Sequence, residues 1–310
     1  MTKGPKKPAT PTKTYAKAPL SVDDALSHLW RRRLMIDDRP ANARVMRSIG
    51  YFRLHVYMRR FQNPATKYSW PRTRFKDIVE LYEFDRRLRA VTMDVTERVE
   101  VALRSALSTP IALTHGSHWY ADRSLYRNLR GYASALAQIS RECDKKKGLA
   151  LTHYHETYAV PDLPPVWLVC EHLTLGALSR LFEALSISHR KTAGRHGWPD
   201  IPDPLLVSWL HSLTDLRNAC AHHSRIWNAK FSVSAPQQPK STALARYAAG
   251  MHQNWTYYAR AVMIKALLDL MGYGGEWRES LKTTLASCRH VDAAAHLGFP
   301  RGWEIAPAWV

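Results

Sequence analysis

The chain has little cysteine, a shortage of acid and no long apolar run. Its four cysteines, Cys143, Cys170, Cys220 and Cys288, lie far apart and form no C-x-x-C pair. That excludes a disulfide framework and a zinc ribbon. Cys170 and Cys220 fall in apolar helical contexts, where a free cysteine acts as a small hydrophobe. No apolar stretch approaches the ~20 residues a membrane-spanning helix needs, and the N-terminus shows no apolar signal core. The expectation is a soluble cytoplasmic protein with no membrane partner. No segment alternates apolar and polar residues as a half-buried strand would, and no internal repeat is visible, so the chain reads as all-α.

Against 26 Asp and Glu stand 45 Lys and Arg, a net charge of +19. Such a balance attracts polyanions, nucleic acid foremost. With 310 residues, 45% of them apolar, the chain can bury a sizeable core as one large domain or two.

Residues 1–20 contain five Lys and four Pro with almost nothing to bury, which predicts a disordered basic tail. A capping-box pattern at Ser21 opens the first helix, and Pro40 opens the next. The segment Ile49 to Phe61 interleaves aromatics with arginine. Base stacking along a basic groove is one reading; the helical spacing of Phe52 and Val56 instead assigns most rings to the core, with the arginines reaching outward. From Phe75 to Leu107 an apolar stripe without Gly or Pro predicts one long helix or two in series, ended by Pro110, with Glu100 and Arg104 at ion-pair spacing. Residues 124–148 read as helical, closing on the cationic turn Lys145-Lys146-Lys147-Gly148. A helix over 177–186 precedes a polar loop over 188–203.

From Asp203 onward, Leu205, Trp209, Leu213, Leu216 and Cys220 recur at steps of four, four, three and four. They make one apolar stripe of a helix around 203–224, and at ~100° per residue Asp215, Asn218, His222 and Arg225 fall opposite it. Arg217 sits on the flank and His223 turns back toward the packed side. The run Leu216 to Asn228 thus ends the helix with Arg217, Asn218, His222, His223, Arg225 and Asn228. Arginine offers a permanent fork of donors to phosphate oxygens, and histidine exchanges protons near neutrality. Together they suggest phosphodiester chemistry without a metal. Arg217 and His222 are five apart, about 140° on an ideal helix, so a second copy of the motif across a twofold axis would complete one cleft. The bare Arg-to-His spacing is weak evidence, since Arg190 and His196 show it too. Cys220, His222 and His223 are neighbours that would not all point at one ion, and no zinc or other cofactor is expected.

The chain resembles the Abi-like abortive-infection proteins of bacteria, the AbiD/AbiF group, whose C-terminal part resembles the HEPN nuclease superfamily. The resemblance rests on Ile49 to Leu54, Phe84 to Arg89, Glu97 to Ser105, Pro164 to Trp167, Leu173 to Ser179, Leu216 to Asn228, and the closing Leu297-Gly298-Phe299-Pro300 with Trp303. It implies an all-α, multi-helix HEPN-like bundle with additional N-terminal helices over residues 21–310, and metal-independent RNA cleavage. The resemblance casts Arg217 and His222 as the catalytic pair and Asn218 as the polar residue beside the arginine. Arg225, His223 and Asn228 are expected to support the site or bind RNA. It also implies a toxin-like role in phage defence, restrained by an RNA or protein antitoxin. The need for a second copy of the motif argues for a homodimer, the alternative being a partner helix within the chain, the one bearing Glu97, Glu100 and Arg104. Two other readings stand beside the nuclease. One is a non-catalytic RNA-binding module using the same basic surface. The other is a structural dimer interface in which Asp215, Asn218, His222 and Arg225 form a buried polar network.

Overall fold

A computed structural model describes residues 14–16, 18–145, 148–289 and 291–310. Most of the expected basic tail, and the side chains of Lys145 to Lys147, lie outside the described residues. Those that are described form α-helices joined by loops and short 3-10 turns, with isolated bridges in place of a sheet. The all-α expectation holds. The chain divides into two compact units, residues 1–82 and 83–310.

In the first unit Ser21 caps α1 (Val22–Arg31) by accepting from the Asp24 amide, and Asp38 caps α2 (Arg39–Ile49), with Pro40 in its first turn. Gly50 then separates α2 from α3 (Tyr51–Met58) at φ 89°, ψ 143°, a backbone state essentially reserved for glycine. The core takes Leu26, Leu29, Met46, Leu54, Tyr57 and Met58. Phe52 is 78% exposed, contrary to its expected place in the core. The buried set on α3 is 54, 57 and 58, and position 52 lies about 200° from 54, so its ring faces solvent, edge-on to Tyr51.

Helix α4 (Phe75–His115) is one continuous helix, and it passes through Pro110. Proline removes one helical donor and costs about 3 kcal/mol or more in a helix interior. The last turn nevertheless persists because Ile111 is fully buried, and Gly116 at φ 85° ends it by donating to the Ala112 carbonyl. The second unit continues with α5 (Leu129–Lys145), α6 (Leu149–Thr157), α7 (Val166–His172), α8 (Leu175–Ala184), α9 (Ile187–Gly197), α10 (Asp203–Ala221), the short α11 (Ala245–Ala248), α12 (Tyr257–Leu270), α13 (Gly274–Ala286) and α14 (Ala293–Leu297).

Helix α12 is buried on all sides, as expected of a central helix with no polar face. It packs against α10 and α13; α10 also packs against α8 and α9, and α8 against α5. The closing Gly298-Phe299-Pro300 block is structural: Phe299 meets Tyr258 at 4.7 Å and Trp303 at 5.0 Å. A Cβ on Gly298 would come 2.7 Å from Thr256.

The predicted loop over 188–203 is instead mostly α9. Its apolar content is low, but Arg190 is buried and pairs with Asp203 at 3.0 Å, Ala193 and Gly194 pack inward, and Trp198 is fully buried, donating to the Leu267 carbonyl. Tertiary partners supply what the local pattern does not show. Arg190 is thereby a structural residue that ties α9 to the first turn of α10.

Candidate functional site

The stripe Leu205, Trp209, Leu213, Leu216 and Cys220 is buried as its spacing predicts, joined by Leu206 and Leu210. Burial pushes the Cys220 thiol up to about 12, and Cys170 likewise, so both remain protonated packing groups. The helix they fix ends at Ala221, three residues before the expected end.

The way it ends decides where the histidines stand. His222 is the C-cap. His223 has φ 56°, its amide donates to the Cys220 carbonyl at 3.0 Å, and the Ser224 amide reaches back to Ala219 at 2.8 Å. This is a Schellman closure with histidine in the left-handed position that glycine usually takes, a conformation histidine tolerates better than most side chains. It throws His223 outward. His223 is exposed, which corrects its assignment to the packed side: that assignment extended an ideal helix past the point where the chain leaves it.

Arg217 and Asn218 are neighbours on the last turns of α10, with an Arg217 Nη1 to Asn218 Oδ1 contact of 3.5 Å. Arg217 Nη2 also lies 3.7 Å from Glu100 Oε2 of α4. Glu100 accepts from Arg104 at 2.5 Å, and Arg104 in turn donates to the Cys170 and Leu173 carbonyls at the end of α7. A cation there satisfies carbonyls that the helix leaves open. The Glu100 to Arg104 pair expected from spacing is therefore mostly buried, at 13% and 16% exposure, and bound into a three-helix junction. Arg217, Arg104, Glu97, Glu100 and Asp94 line a cleft of about 440 Å³.

His222 is exposed, and its imidazole has no hydrogen bond or ion pair to any described residue; only its amide is engaged, by the Asn218 carbonyl at 2.9 Å. Asn218 is exposed and Arg225 half-buried, so Asp215, Asn218, His222 and Arg225 do not make a buried network within the chain. Asn228 is exposed, at φ 49°.

What the sequence did not reveal is how the loop after the helix is held. Asp85 of α4 is fully buried, pairs with Arg89, and accepts the amides of Ile226 at 3.2 Å and Trp227 at 2.6 Å. Arg89 also donates to the Ser224 carbonyl at 3.3 Å. Ile226 and Trp227 are themselves buried. One ion pair thus fixes the loop that carries His222 to Asn228, and the Phe84 to Arg89 block earns its place as that anchor. The available signal was the four-residue spacing of Asp85 and Arg89, which by itself also fits a solvated pair.

Fully buried Arg260 of α12 spans the loops at 231–234 and 254–256 through five carbonyls and stacks on Phe231 at 4.6 Å. Burial lowers its pKa to about 10, which leaves it charged at neutral pH.

No helix among the described residues is long and apolar enough to cross a membrane. No curated protein and no solved structure matches the chain. The family described as Abi-like protein matches residues 44–228, a span that begins in α2, includes the Asp85 anchor and the Glu100 junction, and stops at Asn228. With more than half of its length so matched, the chain belongs to the Abi-like protein family.

Proposed function

We propose that this protein is an effector of abortive-infection defence that cleaves RNA without a metal, with Arg217, Asn218 and His222 as its working residues. Family membership points to the defence role. The observation that supports the chemistry is an exposed His222 imidazole with no partner among the described residues, at the C-cap of α10 one turn after Asn218, whose Oδ1 lies 3.5 Å from Arg217 Nη1.

In this reading the ribose 2′-oxygen attacks the adjacent phosphorus, the bond to the 5′-oxygen breaks, and a 2′,3′-cyclic phosphate and a 5′-hydroxyl result. His222 takes the proton from the 2′-OH or delivers one to the leaving oxygen, a contribution of about 10² to 10⁴-fold. Arg217, with Arg225 in support, stabilises charge developing on the phosphate, and Asn218 orients it. One histidine per chain fills one of the two proton-transfer roles. A second chain bringing its own His222 fills the other, hence a homodimer.

Purified protein should cleave single-stranded RNA in EDTA and leave DNA intact, because DNA lacks the attacking hydroxyl. His222→Ala should lower cleavage by at least about 10² while leaving the thermal transition unchanged, since the side chain holds nothing. Full activity in that variant, or strict dependence on Mg²⁺, would end this reading. RNA binding without product under any condition would favour a non-catalytic RNA-binding module.

A further inference from the structure

The second unit holds a cleft larger than the one that Arg217 lines. Between α5 and α8 lies an opening of about 870 Å³ whose rim carries Arg127, Arg130, Arg141 and Arg180. All four are exposed, and none of their guanidinium groups has a hydrogen bond or ion pair to any described residue. The single acid on the lining, Glu183, is turned to His211 at 3.3 Å. The floor is small: Ala133, Ala137, Ala177 and Ala184, with Gly131, where an added Cβ would sit 3.3 Å from the Ala184 Cβ.

Four like charges around one concavity repel one another, and Glu183 is the one carboxylate among the lining residues. Arg130 and Arg141 are eleven residues apart, which puts them on nearly the same face of α5 and about 16 Å apart along its axis. That length suits a chain of phosphates better than one small anion. The row also leads toward α10. Gly176 of α8 would place a Cβ 3.2 Å from Thr214 and 3.6 Å from Arg180 Nη1, and Thr214 is one turn before Asn218. Leu173, whose carbonyl receives Arg104 beside the first cleft, lines this one as well.

We propose that the α5/α8 cleft is a binding track for the phosphodiester backbone of a single nucleic-acid strand, gripped by Arg127, Arg130, Arg141 and Arg180 and leading toward the Arg217–His222 site. That the strand is RNA rests on the function proposed above; the phosphate contacts do not. A track reading only phosphates takes DNA as well, so binding can be measured without turnover.

The test uses the full chain and a labelled oligothymidine, followed by fluorescence anisotropy over a salt series. Removing four phosphate contacts by the quadruple substitution R127A/R130A/R141A/R180A should lower the slope of log K against log salt by about 3. It should weaken low-salt binding by more than about tenfold. The melting curve should not change, because no intramolecular partner is lost. The quadruple lysine variant, which keeps the charge, should bind close to the wild type; the double R130A/R141A should show about half the loss of slope and serves if the quadruple variant does not fold. Slope and affinity unchanged in folded alanine variants would overturn the proposal, as would equal losses in the lysine variant or tighter binding of an oligoglutamate than of the oligonucleotide. Absence of RNA cleavage bears on the function proposed above and leaves this binding result untouched.

Discussion

In the cleft beside Arg217, every guanidinium faces a carboxylate: Arg217 and Arg104 share Glu100, and about three turns earlier on α4 Arg89 holds Asp85. In the cleft between α5 and α8, four guanidinium groups line a space whose one carboxylate is engaged by His211. The same residue type does two kinds of work. Paired arginine is already spent on geometry, fixing a loop and a helix end at the site of proposed chemistry. Unpaired arginine is left to a partner from outside. Removing carboxylates one at a time from the two regions separates these uses.

The largest effect is expected at Asp85, which is fully buried and satisfies Arg89 and two loop amides at once. Asp85→Ala takes from buried Arg89 its carboxylate and from two loop amides their acceptor, a loss of about 3 to 5 kcal/mol. For a unit of this size that lowers the melting temperature by about 10 °C, read by circular dichroism, and it frees the His222 to Asn228 loop. A melting temperature within a couple of degrees of the wild type would mean that Ile226 and Trp227 hold the loop by packing alone.

Glu100 comes second. Its side chain is 13% exposed and shared by two arginines, of which Arg104 keeps its carbonyl acceptors when the charge is removed. Glu100→Gln should therefore cost about 1 to 3 kcal/mol. Its sharper reading is kinetic: with Arg217 no longer held, kcat for RNA cleavage should fall by about tenfold or more while KM stays near the wild-type value. A fall in KM together with an undiminished kcat would show that Glu100 competes with phosphate and does not position the arginine.

The helices were legible where pattern and packing agree. The apolar stripe of α10, the cap at Ser21, the start of α2 at Pro40 and the Glu100 to Arg104 pair are all readable from spacing, and the structure bears them out. The failures share one cause, that local signals omit tertiary partners. Helix α9 forms on a buried Arg190 to Asp203 pair made across a turn, and α4 survives Pro110 because Ile111 is buried beyond it. The candidate site was legible as a set of residue types and not as an arrangement. Arg217, Asn218 and His222 could be named, but the exposure of His223 follows from a left-handed cap, and the loop's anchor is 141 residues away in sequence. The arginine track escaped notice because its residues are scattered from 127 to 180 with no motif to join them.

The smallest effect separates the two clefts most finely. Glu183 is 36% exposed and pairs with a half-buried His211, so Glu183→Gln should change stability by less than about 1 kcal/mol. If the α5/α8 cleft is a phosphate track, removing the one carboxylate among its described lining residues takes away a repulsion that a strand meets there. Oligothymidine should then bind about twofold to threefold more tightly at low salt, with the gain erased at high salt as exposed charges are screened. The contrast with Glu100 is one of sign: where arginine is already paired, losing the carboxylate impairs function, and where arginine is free, losing it helps. Weaker binding in the Glu183 variant would place that carboxylate with Asp85 and Glu100, as a group that holds the rim in shape, and the distinction between the two clefts would fail.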